Sequence, residues 1–86
     1  MSLMPEHLHE ASQLVGAASS LRDAAALWRA HHPEIRALVV DAFDMRDEAP
    51  TLILGARRVY LAASDGHCWQ ITQEPAQASA LILTEV

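Results

Sequence analysis

The sequence predicts an α+β domain: two N-terminal helices, or one kinked helix, packed on a mainly antiparallel sheet of about five strands. Three observations carry this. Apolar residues at helical spacing are confined to the first third of the chain. The remainder alternates β-branched apolar runs with turn signals. The length, 86 residues, is enough for one core only. Helices first and strands after argue for a layered α+β arrangement and against a repeating βαβ unit.

In the first helical segment Leu8, Ala11, Leu14, Val15 and Ala18 recur at helical spacing and form one apolar stripe. Pro5 suits the first turn, and Glu6 beside it favours the helix N-terminus. Gly16, Ser19 and Ser20 interrupt the run. Ser20 followed three residues later by Asp23 resembles a capping box with Asp in the acidic position. Leu21, Ala24, Ala25, Leu27 and Trp28 make the second stripe, and His31-His32-Pro33 ends it, because the residue before proline leaves the α region.

Ile35 to Phe43 is a continuous apolar run, the pattern of an inner strand, with Asp41 as its one buried carboxylate. Asp44 to Pro50 reads as a polar loop. Thr51 to Leu54 and Val59 to Ala63 read as strands joined by a hairpin through Gly55. Asp65-Gly66 between apolar runs predicts a two-residue hairpin loop into a fourth strand, Cys68 to Thr72. By counting, Ala62 then opposes Trp69 and Tyr60 opposes Ile71. That aromatic face is the expected seat of the helices, with Trp28 and Trp69 packed together. The opposite face is also partly apolar. Pro75 to Ser79 suits one helical turn, and Leu81 to Glu85 a fifth strand. Residues 1–3 read as an appended segment, with the domain at residues 4–86.

Acidic residues outnumber basic ones, 11 to 6, for a net charge of −5. All the basic residues are arginines, and only Arg57-Arg58 are adjacent, so the basic footprint that phosphate backbones require is missing. Nucleic acid is not an expected partner. Neither is a membrane, since no apolar run approaches the roughly 20 residues that span a bilayer. One cysteine, Cys68, makes no internal disulfide and points to a reducing, cytoplasmic setting. The alanine-rich, lysine-free composition resembles that of GC-rich bacterial genomes.

Histidine stands out: His7, His9, His31, His32 and His67. His7 and Glu10 lie three apart and share a helix face, while His9 points elsewhere. With Asp41 and Asp44 they are the candidate metal ligands, although no H-E-x-x-H or C-x-x-C spacing and no EF-hand pattern is present. Solvated histidines and a solvated acidic loop through Asp47 and Glu48 are the plainer reading. Arg57, Arg58 and Cys68 are the candidate partner-binding residues. The two arginines suit a carboxylate or phosphate brought by a partner, against the alternative of an edge strand marked by charge. His67 and Cys68 are adjacent, so in a strand they point to opposite faces and do not form a nucleophile–base pair. No catalytic residue and no cofactor is assigned.

Val59-Tyr60-Leu61, His67-Cys68, Ile71-Thr72, the Pro75/Ala78 pair, Leu83 and Glu85-Val86 together resemble a small uncharacterised bacterial family whose members occur near nitrogen-fixation genes in proteobacteria. The resemblance covers roughly the last 30 residues, and such short patterns have low specificity. Ser79-Ala80 stands where that pattern has a glycine, and Thr84 where it has alanine. The resemblance implies no activity and assigns no functional residue. The expectation is therefore a small non-catalytic interaction or accessory domain that self-associates as a homodimer, with an unidentified protein as a further possible partner. A small-ligand or divalent-metal-binding module is the alternative, and an enzyme comes last.

Overall fold

A computed structural model describes residues 3–64 and 68–86. Helices α1 (Pro5–Ala17) and α2 (Leu21–His31) precede strands β1 (Arg36–Val39), β2 (Leu52–Leu54), β3 (Arg57–Ser64), β4 (Trp69–Thr72) and β5 (Ala80–Glu85). Short 3₁₀ turns occupy Ala42–Met45 and Pro75–Gln77. The fold is α+β, with a mixed, mostly antiparallel sheet.

The helices are separate, not one kinked rod, and α1 runs through Gly16. Ser20 starts the second as expected: its Oγ accepts the Asp23 N–H at 3.1 Å. At the start of α1, His7 takes the reciprocal role. Its N–H donates to the Met4 carbonyl at 2.9 Å, and its Nδ1 accepts the Met4 N–H at 2.9 Å. Leu3 ahead of it is buried, and its N–H is shared between the carbonyls of Pro75 and Ala78.

Strand β5 pairs parallel with β1 and antiparallel with β3. At Leu61 and Ala62, β3 is bonded to β5 and to β4 at once, so these two lie on opposite sides of it. By the same argument β2, paired with residues 57–59, shares the β4 side. β2 and β4 therefore lie end to end along one edge. Gln73 joins them: its Oε1 accepts from Thr51 Oγ1 at 3.2 Å and its Nε2 donates to the Ala49 carbonyl at 3.0 Å.

Several expectations are corrected. The run from Ile35 to Phe43 is not an inner strand. It forms an edge strand that stops at Val39, because the Asp41 carboxylate accepts the Phe43 N–H at 2.8 Å and turns the chain into a 3₁₀ turn. Asp41 is accordingly exposed, not buried. Met45, expected in a polar loop, is buried against the sheet. Leu27, placed in the apolar stripe of α2, is exposed.

The β3–β4 register differs as well. Ser64 faces Trp69 and Ala62 faces Ile71, two residues away from the pairing counted from a two-residue loop. The Asp65-Gly66 turn itself lies outside the described residues. Since side chains alternate with period two, this offset keeps each residue on its expected face.

The helices do not sit on the aromatic face. Val59, Leu61, Leu81, Leu83 and Ala37 meet Ala11, Val15, Leu21, Ala24, Ala25 and Trp28 in the main core. Tyr60, Ala62, Ala80 and Ile82 point the other way and are covered by Met45 with Val40 and Ile71. Trp28 and Trp69 are therefore on opposite sides of the sheet. Trp28 is buried, with its indole N–H on the Ile35 carbonyl at 3.2 Å, and Trp69 is 46% exposed.

Candidate functional site

Residues from both helices and the following turn converge at one end of the helical layer. Glu10 Oε2 lies 2.7 Å from His32 Nε2 and 3.5 Å from His31 Nδ1. An ionised carboxylate only accepts, so His32 donates through Nε2–H. His32 Nδ1 lies 3.8 Å from Glu34. The His32 ring packs on Trp28 at 4.5 Å and edge-on against His7 at 4.8 Å between centroids. The hydrogen bond from His32 is the main cause holding the Glu10 carboxyl below the usual carboxylate range, against a partial burial that pushes it up. His7 and Glu10 do share a side of α1, as read from their spacing. Their partners His31 and His32 are not legible from spacing, because they lie 21 and 22 residues from Glu10 on another element.

This network pins α1 to α2. His7 Nδ1 is occupied by the Met4 N–H. Asp41 and Asp44 sit in and beside the 3₁₀ turn at Ala42–Met45, where the Asp41 carboxylate serves the local backbone. Among the described residues no group of three or more His, Cys, Asp or Glu side chains is placed to hold a metal ion. His67 lies outside the described residues.

The arginine pair divides. Arg57 is committed internally. Its Nη1 donates to the carbonyls of Val15 at 2.7 Å and Ala18 at 2.5 Å, and its Nε donates to Glu85 at 2.9 Å. It caps the C-terminal end of α1, where a cation is favoured. Arg58, one residue on, points to the outer face and pairs with no carboxylate or carbonyl among the described residues. Cys68, read as a small buried hydrophobe, is instead exposed just ahead of β4.

Arg58 stands in a cleft of about 500 Å³ between the 42–50 segment and the outer faces of β3 and β5. Phe43, Met45 and Pro50 supply apolar wall. Arg46 is held over the Phe43 ring at 4.0 Å, with its Nη1 donating to the Phe43 carbonyl at 2.8 Å. The Tyr60 hydroxyl reaches only the Met45 carbonyl, at a long 3.5 Å. Thr84 is fully buried at the cleft, and its Oγ1 has no hydrogen-bond partner. Arg58 and Thr84 are direct cross-strand neighbours. Sequence spacing does not show this grouping, since it depends on β5 pairing with β3 across 26 residues.

The two edges of the sheet are finished differently. On β1, the Ile35 carbonyl accepts from Trp28 and the Ala37 carbonyl accepts from Arg29 Nη2 at 2.8 Å, so α2 side chains cap that edge. On the other edge β2 is only three residues long. Among the described residues β4, reading Trp-Gln-Ile-Thr, pairs with β3 alone, and it carries neither charge nor proline. No helix is long and apolar enough to cross a membrane among the described residues. Comparison of the chain with protein-family models, with curated proteins and with solved structures returned no match.

Proposed function

We propose that this chain is a small, non-catalytic, cytoplasmic interaction domain that works as a homodimer, joined by antiparallel pairing of β4 with β4 of a second copy. One observation carries the reading: among the described residues, β4 is an edge strand with no charge, proline or covering element. Exposed edges are ordinarily blunted by charge, proline, shortness or a covering element. β1 has Arg36 and the caps from α2, whereas β4, of the same length, has neither a charge nor a cap among the described residues. An uncharged edge is self-complementary about a two-fold axis, and pairing there brings Trp69 of the two copies onto one continuous outer face.

Native mass spectrometry and light scattering test this directly. The wild type is expected at twice the 9.4 kDa chain mass at micromolar concentration. Trp69→Lys, which places a charge on the exposed edge, is expected to give a monomer with an unchanged far-ultraviolet circular dichroism spectrum. A wild-type monomer at that concentration refutes the proposal, and so does a Trp69→Lys protein that remains dimeric.

A second reading, a small-ligand-binding module, is favoured by a separate observation: the guanidinium of Arg58 and the Thr84 hydroxyl beside it, neither with a partner among the described residues. The two readings use different parts of the outer face. Arg58 and Ser64, which faces Trp69, are roughly 20 Å apart along β3 at the rise of an extended strand. Membership in the family that residues 59–86 resemble belongs to this proposal as well, and it adds no activity.

A further inference from the structure

We propose that the outer-face cleft binds a small organic monocarboxylate with an aromatic or branched apolar body, the acid group on Arg58 and the body against Phe43, Met45 and Pro50. This inference rests on the second of the two readings above and is independent of the dimer.

Three features select that chemistry. Arg58 offers a guanidinium that meets no partner within the described residues, and a planar fork matches a carboxylate in two parallel hydrogen bonds. Its stem is flanked across the sheet by Ile53 on one side and Thr84 on the other, which restricts the directions the head can take. The second cation at the cleft, Arg46, is already held on Phe43, and Glu48 on the same rim opposes it. Arg46 and Glu48 offset each other, which leaves Arg58 as the one cationic side chain at the cleft for an anion. One guanidinium suits a monoanion better than a phosphate dianion, and no glycine-rich phosphate loop is present among the cleft residues.

The polar groups beneath are also incomplete. Buried hydroxyls are almost always hydrogen-bonded, yet the Thr84 Oγ1 has no partner and the Tyr60 hydroxyl has only its long contact to Met45. Both residues line the cleft beside Arg58. A carboxylate oxygen seated on Arg58 keeps a second lone pair for a hydroxyl that can reach the cleft, and of the two the Tyr60 hydroxyl is the less buried. The apolar wall then rewards a hydrocarbon body, and the Phe43 ring, backed by Arg46, rewards an aromatic one.

The test is a heteronuclear NMR titration of the labelled full chain with sodium phenylacetate, with its neutral isostere phenylacetamide and with inorganic phosphate. Phenylacetate is expected to shift amides confined to residues 42–50, 58–60 and 84–86. Phenylacetamide is expected to bind at least about tenfold more weakly, as the loss of a charged hydrogen-bonded pair implies. Arg58→Gln should abolish the preference for the acid over the amide. The proposal is overturned if phenylacetate causes no confined shift, if acid and amide bind alike, if phosphate shifts these amides and phenylacetate does not, or if folded Arg58→Gln keeps the acid preference.

Discussion

Glu10 shows how one side chain ties two helices together. Its carboxylate receives the His32 ring at 2.7 Å and lies 3.5 Å from His31, while the same His32 ring packs on Trp28 of the core. Because the Glu10 carboxyl is held below its usual range in the folded chain, the stabilisation it brings is complete above the ordinary carboxylate value of about 4.5. It fades as pH falls through that value toward the lowered folded one. Glu10→Gln should therefore melt below the wild type near neutral pH, and the two melting curves should converge in acid. Thermal scans across the acid range check this, and a gap that widens on acidification contradicts it. Arg57 is a second residue whose role is internal. Removing it leaves the Val15 and Ala18 carbonyls and Glu85 without their donor. Arg57→Ala should cost about 1–3 kcal/mol in denaturant unfolding. Arg57→Lys should not restore it fully, because one ammonium cannot reproduce the fork that spans three acceptors.

Element boundaries follow from local hydrogen bonds more than from hydropathy. The start of α2 is set by Ser20, whose Oγ accepts the Asp23 N–H, with Ser19 hydrogen-bonded to the Asp23 carboxylate. Ser20→Ala should destabilise the chain by about 1 kcal/mol, while Ser20→Asp should be nearly neutral. Chemical denaturation of the three proteins measures the difference directly. The β2–β3 hairpin turns on Gly55 at φ +65°, followed by Ala56 with no positive φ, the pattern of a type II′ turn that needs glycine first. At Asp41 the opposite happens. A run that hydropathy extends to Phe43 ends at Val39, because a carboxylate two residues ahead of an N–H supplies a turn that competes with the ladder.

At the scale of the molecule, the sheet has two apolar faces and only one helical layer. α1 and α2 cover Val59, Leu61, Leu81 and Leu83, while the 42–45 turn places Met45 over Tyr60 and Ile82. That turn is too short to cover the whole outer face, so Ile53 and Trp69 stay exposed at 64% and 46%. The same geometry opens the cleft at one end and leaves β4 unprotected at the other. The proposed dimer follows from this shape: a strand edge without charge beside an exposed tryptophan is the part of the surface that association would bury most favourably. Loss of the dimer in Trp69→Lys and survival of the acid-selective cleft would separate the two ends experimentally.

Local patterns in the sequence were enough to place two helices, the Ser20 cap, the Gly55 hairpin and the α+β class. Each of these depends on residues within one or two turns of each other, where periodicity and capping chemistry act directly. The helix-bearing face of the sheet was misread because alternation reports two faces without saying which one the helices meet. The edge position of β1 depends on β5, which arrives 41 residues after β1 ends and pairs parallel to it. The same long-range pairing sets Thr84 beside Arg58, as the approach of α2 sets His32 beside Glu10. Tertiary structure alone decided these groupings, because the contacts that make them join segments whose separation in sequence carries no periodic signal.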